Sequence, residues 1–153
     1  MSKSVVLFGG SFNPPHAGHY EIARRLAARK IIDEVWIVPV YRHAFAKKMP
    51  PFRKRLRDCR KFFKGIEKIK VKDLEKRLGG VSYTVRLLEY LFQKYPTWKF
   101  SLAVGSDSYR ERKDWKDFSK IKKMARLIVF PRGPKSPIPN ISSTQIRLLK
   151  ASR

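Results

Sequence analysis

Acidic residues are scarce in this chain. Twelve Asp and Glu stand against thirty-six Lys and Arg, a formal net charge of +24. Fifteen of the cations fall within residues 42–77 and ten more within 110–135. Such a field attracts polyanions (nucleotides, RNA, DNA or anionic lipid) without choosing among them. Cysteine is nearly absent: Cys59 stands alone, which excludes an intrachain disulfide and a thiolate metal cluster. Phe52, Leu56 and Phe63 surround it at helical spacing, so it reads as a buried, inert thiol rather than a reactive one. No apolar run approaches the length of a membrane span. The opening "MSKSVVLFGG" runs straight into a strand without a signal-peptide pattern, and the expectation is a cytoplasmic protein with no membrane association. Internal repeats and low-complexity tracts are also missing.

What is present suits a single domain over 1–153. The chain is 42% hydrophobic, enough to fold around a core. Short apolar, β-rich runs predict strands at 4–8, 34–40, 68–73, 99–105 and 126–130. Helical periodicity predicts helices at 17–30, 52–64, 83–95 and 143–150, with a polar helical stretch after residue 105. Strands separated by helix-length segments imply right-handed βαβ units and a parallel sheet, hence an α/β fold. The stretch "PRGPKSPIPN" (131–140), with four prolines in ten residues, reads as an extended surface connection.

Glycine, proline and histidine crowd into "GGSFNPPHAGHY" (9–20), directly after the first strand. Glycine admits close backbone approaches and proline fixes φ, so this is a rigid, shaped loop. With a helix starting near Pro15 or His16, His16 and His19 lie in its first turn on one side. A helix N-terminus is an anion site. Gly9, Gly10 and Ser11 would let backbone amides reach a phosphate while the two imidazoles donate to it, with Gly18 keeping the space between them open. The plainer alternative is a pair of capping or surface histidines. A zinc pair lacks a third ligand beyond the isolated His43. The loop matches neither the G-x-G-x-x-G fingerprint nor a Walker loop. Other unusual residues fall at further strand ends, "PVYRHAFAK" after the second and "GSDSY" after the fourth, where ligands bind in open α/β sheets.

"GGSFNPPHAGH" resembles the H-x-G-H signature of the nucleotidyltransferase superfamily, in the form found in nicotinate- and nicotinamide-mononucleotide adenylyltransferases. At the other end of the chain, "ISSTQIR" (141–147) resembles that family's ATP-phosphate motif. "GGVSYTVRLLEYL" (79–91) is similar to its S-Y-T stretch, and "VGSDSYRERKDW" (104–115) to its G-x-D…W stretch. The resemblance implies a Rossmann-like three-layer parallel sheet of the nucleotidyltransferase type. It implies catalytic roles for His16, His19 and Arg147. ATP-phosphate contacts would come from Gly9, Gly10, Ser11, Phe12, Gly105, Ile141, Ser142, Ser143 and Thr144, and from Lys47, with Lys48 equally placed. The mononucleotide would meet Tyr83, Thr84, Asp107 on its ribose and Trp115 on its ring. Taken singly, Ser142–Thr144 could be a helix cap, Asp107 a solvated turn residue and Trp115 a half-buried core residue.

The activity implied is adenylyl transfer from ATP to nicotinate mononucleotide, releasing pyrophosphate, with Mg²⁺ carried by the ATP phosphates and no protein metal site. Acid is preferred over amide because no Asp or Glu is evident near Thr84, and the family's frequent acidic position after Y-T-x is Arg86 here. Phosphopantetheine adenylyltransferase shares the superfamily but carries a threonine for the first histidine. A reading from a different class is a basic nucleic-acid-binding module on the same scaffold. Even as an enzyme, the chain should bind nucleic acid without sequence preference through its cations.

Overall fold

A computed structural model describes residues 2–42 and 48–131. Five parallel strands form its sheet: β1 (Ser4–Gly10), β2 (Glu34–Pro39), β3 (Ile69–Val71), β4 (Lys99–Gly105) and β5 (Arg126–Phe130). Their order is β3-β2-β1-β4-β5. The chain builds outward from β1 on one side, then crosses over to add β4 and β5 on the other. The carboxyl ends of β1 and β4 therefore diverge at a topological switch point, where such sheets open a crevice.

Alternation along the central strands feeds two cores. Val5 and Leu7 of β1, with Trp36 and Val38 of β2, pack beneath Val85, Leu88 and Leu91. Val6 and Phe8, with Val35 and Ile37, pack against Ala23, Leu26, Cys59 and Phe63. All six residues of β2 are buried. A parallel sheet covered by helices on both faces needs such continuous apolar strands, and the layers are α/β/α.

Helices α1 (Ala17–Ala27) and α2 (Phe52–Phe62) cover one face. Helices α3 (Leu74–Leu78), α4 (Thr84–Lys94) and α6 (Phe118–Met124) serve the other. The short α5 (Ser106–Arg110) and a 3₁₀ turn at Arg112–Asp114 follow β4. The five strands expected from sequence are all present. The first helix ends at Ala27 rather than residue 30, because the chain turns through Arg29 N–H to Leu26 O and Ile32 N–H to Arg29 O. That turn buries Ile32 and aligns β2. Five-residue α3 has too few turns to show a periodic pattern, and the sequence did not announce it. The expected helix at 143–150 and all but the first residue of the 131–140 connection lie outside the described residues. Cys59 is fully buried, and burial pushes its thiol up to about 12.

Candidate active site

The loop after β1 is held by its own residues. His16 is the N-cap of α1, in extended conformation, and its Nδ1 accepts from the Gly18 N–H at 3.1 Å. In return the His16 N–H donates to Nδ1 of His19 at 3.0 Å. This is a capping box with imidazoles in place of the usual hydroxyl and carboxylate. The two rings stack with centroids 3.7 Å apart. Because each Nδ1 accepts, each neutral ring carries its proton on Nε2 and is a donor there. The capping alternative read from sequence is therefore realised, and the cap sets the tautomer of each neutral ring.

Phe12 sits beneath these rings. Its side chain is buried, edge-on to Phe8 and Phe63 and 4.7 Å from the His19 ring. Its φ of 48° turns the chain sharply. A Cβ on Gly10 would lie 3.4 Å from the Phe12 ring, so the glycine makes room for that packing. Phe12 was expected at the phosphate, but its side chain is turned into the core and only its backbone can serve an anion.

Arg55 of α2 is buried and had no expected role. Its guanidinium donates to Val40 O at 2.7 Å, Ser11 O at 3.1 Å and Pro50 O at 3.0 Å. It ties the H-x-G-H loop, the end of β2 and the entry to α2 into one piece. Sequence reading assigned Arg55 only to a basic helix; its place between Phe52 and Cys59 on the apolar face was the available signal. Loss of solvation pulls its pKa down.

A cleft of about 230 Å³ opens at the switch point. It is lined by Gly9 and Gly10 at the end of β1, Val38 of β2 and Val40 just past it, Gly105 at the end of β4, and Thr84 and Trp115. Five residues expected at the site, from three separate segments, thus meet at one opening. Trp115 also packs against the core cluster and stands edge-on to Phe118, so the half-buried core reading holds while the residue also lines the cleft. Tyr83 caps α4 beside the cleft, with Lys116 Nζ 4.8 Å from its ring centre. Asp107 lies just past β4, mostly exposed and 3.3 Å from Arg110. Neither it nor Tyr83 lines the cleft. Lys48 is exposed. Lys47, Ile141, Ser142, Ser143, Thr144 and Arg147 lie outside the described residues, as does His43.

Ser82 and Glu75 are among the lining residues that sequence reading missed. Ser82 Oγ accepts from the N–H groups of Tyr41 at 3.1 Å and Arg42 at 3.3 Å, and the Ser82 N–H donates to Arg42 O at 2.8 Å. The S-Y-T segment is thereby fastened to the loop that leaves β2. Glu75, on α3, is buried in the same wall. This corrects the expectation that no acid lies near Thr84: nine residues separate the two in sequence, and the turn at Gly79 and Gly80, both with positive φ, folds α3 back beside α4. Among the described residues, no three His, Cys, Asp or Glu side chains converge as a metal cage, and no helix is long and apolar enough to cross a membrane.

Comparison with known proteins agrees with this geometry. The cytidylyltransferase-like family profile matches residues 7–149. A protein of Anaeromyxobacter dehalogenans (strain 2CP-C), named "Probable nicotinate-nucleotide adenylyltransferase", is 38% identical over 154 residues, covering 95% of this chain and 82% of its own. A protein of the same name from Myxococcus xanthus (strain DK1622) is 37% identical over 157 residues, covering 96% and 82%. In fold, the chain superposes on Plasmodium falciparum nicotinic acid mononucleotide adenylyltransferase complexed with NaAD with a TM-score of 0.80, at 22% identity and 95% and 83% coverage. With a switch-point cleft, an H-x-G-H helix start and these relatives, the chain belongs to the cytidylyltransferase-like nucleotidyltransferases, in their nicotinate-nucleotide adenylyltransferase family.

Proposed function

We propose that the protein transfers the adenylyl group of ATP to nicotinate mononucleotide, giving the deamido dinucleotide and pyrophosphate. The observation that carries this is the cleft itself, where Gly9, Gly10 and Gly105 meet Thr84 and Trp115, with the two histidines of the capping box following in the chain after β1. The 5′-phosphate of the mononucleotide attacks the α-phosphorus of ATP in line, and pyrophosphate leaves. The nucleophile is already an anion, so no covalent enzyme intermediate is required. Catalysis is then positioning together with charge neutralisation on phosphoryl oxygens.

His16 and His19 donate from Nε2 to α- and β-phosphate oxygens, with the N-terminus of α1 behind them. Gly9, Gly10, Ser11 and the Phe12 backbone supply close amide contacts. Ser142, Ser143, Thr144 and Arg147 take the outer phosphates, with Ile141 leading into them and Lys47 or Lys48 adding a cation. Thr84 and Trp115 hold the pyridine ring, Tyr83 borders it, and Asp107 accepts from ribose hydroxyls. Mg²⁺ arriving on the ATP phosphates neutralises charge there; phosphates and water suit it as ligands in a site without a carboxylate cage. The chain acts as one catalytic domain in the cytoplasm.

Pyrophosphate release with ATP and a panel of acceptors tests this reading. Turnover is expected with nicotinate mononucleotide, less with nicotinamide mononucleotide, and none with phosphopantetheine. Turnover with phosphopantetheine alone, or with no acceptor, would overturn it.

A further inference from the structure

Among the described residues two glutamates are buried, Glu34 and Glu75. Glu34, at the start of β2, is far from the cleft. Burial pushes its pKa up, but Lys70 and Lys3, the latter at 3.4 Å, overcome this and hold it below the ordinary range. Glu75 has no such pairing. Burial raises its carboxyl above the ordinary range, and the Ser82 hydroxyl and Arg86 oppose that without cancelling it.

Its surroundings explain why the opposition is weak. Ser82 Oγ is taken as an acceptor by Tyr41 and Arg42, so only its single proton turns to Glu75. Arg86, from α4, commits its guanidinium to the carbonyls of Leu78 at 2.9 Å, Gly79 at 2.8 Å and Val81 at 3.2 Å. Asp73 and Arg77 on α3's own flank pair with each other at 2.9 Å, and Lys76 is exposed. Farther along α4, Glu89 pairs with Lys120 at 2.8 Å. The stretch of β2 facing α3 carries no charge; Arg42 beyond it is exposed. The cleft that Glu75 lines also carries Leu7, Leu87 and Leu102 beside Thr84 and Ser108.

Among the described residues the Ser82 hydroxyl is the hydrogen-bonding partner of this carboxyl, which can hold either of two states. Protonated, it donates one hydrogen bond; ionised, it only accepts. The two pyridine substituents ask for opposite partners: a ring carboxylate needs donors, and a ring carboxamide's N–H needs an acceptor. We infer that Glu75 reads the pyridine substituent, selecting the acid when protonated and tolerating the amide when ionised. This rests on the proposed function, which puts the ring between Thr84 and Trp115. A bound carboxylate reinforces the protonated state, because two like charges in one low-dielectric cleft disfavour each other.

The test is the ratio of kcat/KM for nicotinate mononucleotide to that for nicotinamide mononucleotide, followed from about pH 5.5 to about pH 8.5. Both substrates carry the same ribose and phosphate, so titration of the phosphate, or of any group that touches only phosphate or ribose, cancels in the ratio. In the wild type the ratio falls about tenfold or more as pH rises. In Glu75→Gln, whose amide donates and accepts at every pH, the ratio is flat. A flat wild-type ratio, or a slope that survives in Glu75→Gln, overturns the inference. Should the variant fail to fold, a flat wild-type ratio still overturns the inference, and His43→Gln supplies the second arm: the slope is expected to survive in it, and its loss overturns the assignment to Glu75. Absence of transfer to either mononucleotide at any pH overturns the proposed function along with it, an outcome distinct from active but pH-independent selection.

Discussion

The backbone N–H of His16 donates to Nδ1 of His19 at 3.0 Å, and the two rings lie parallel within 23°. Each histidine therefore has a structural role and a chemical one, and substitutions can separate them. His16→Asn keeps an N-cap acceptor but loses the Nε2 donor. It should retain the wild-type Tm while kcat falls by roughly 10²–10³-fold, the scale of one preorganised donor. His16→Ala should lose both, with about 1 kcal/mol of stability gone as well. Wild-type turnover in His16→Asn, measured by pyrophosphate release, contradicts the role proposed for the ring.

Arg55 joins three backbone carbonyls from three separate stretches of chain, at Ser11, Val40 and Pro50. Arg55→Met preserves much of the side-chain volume but orphans those acceptors. Denaturant unfolding should show a loss of roughly 2–4 kcal/mol. The surviving folded enzyme should show a lower kcat, because Ser11 and Val40 border the phosphate loop. A stability change within about 0.5 kcal/mol argues that water replaces the guanidinium readily.

Trp115→Ala removes a ring face from the cleft and a packing partner from the core cluster. Both changes lower Tm, so the informative readout is the KM split. KM for the mononucleotide should rise about fivefold or more, matching stacking worth about 1 kcal/mol, while KM for ATP changes little. Equal rises in both would place the indole away from the pyridine ring.

Glu75 also leaves a signature in stability. Its folded pKa lies above the ordinary value of 4.5 because burial disfavours the carboxylate. Between the unfolded and folded values the native state holds more protons than the unfolded one. Stability then falls as pH rises through that window and levels off above the folded value. Glu75→Gln lacks this component, so wild type should lose Tm relative to the variant on going from acid to neutral pH. Parallel Tm curves would show a carboxyl that titrates normally.

The net charge of +24 predicts sequence-independent binding to DNA and RNA with a steep salt dependence. Much of it lies on the exposed face of α2, at Arg53, Lys54, Arg57, Arg60 and Lys61. Fluorescence anisotropy with unrelated oligonucleotides should give similar affinities that collapse as salt is raised. Adenylyl transfer should persist when α2 surface cations are replaced by glutamine. Binding that survives high salt and prefers one sequence, with no acceptor adenylylated, would favour the nucleic-acid module.

Local chemistry determined a great deal of this protein. Apolar runs ending in glycine or proline set four of the five strands, and the separation of the strands by helices set parallel pairing. Gly9, Gly10, His16 and His19 announced the phosphate loop because special backbone and ring chemistry sat together within eleven residues. Thr84 and Trp115 were legible through resemblance, and only folding showed that they share a cleft. Tertiary structure alone decided Arg55, Ser82 and Glu75. In sequence Arg55 is one cation in a basic helix, Ser82 one polar residue in a loop, and Glu75 one acid among lysines. Each acquires its role from a partner 7 to 44 residues away and from burial that no short window of sequence records. Charged side chains are read by default as solvated. The fold made two of them interior by supplying backbone carbonyls to one and an apolar wall to the other.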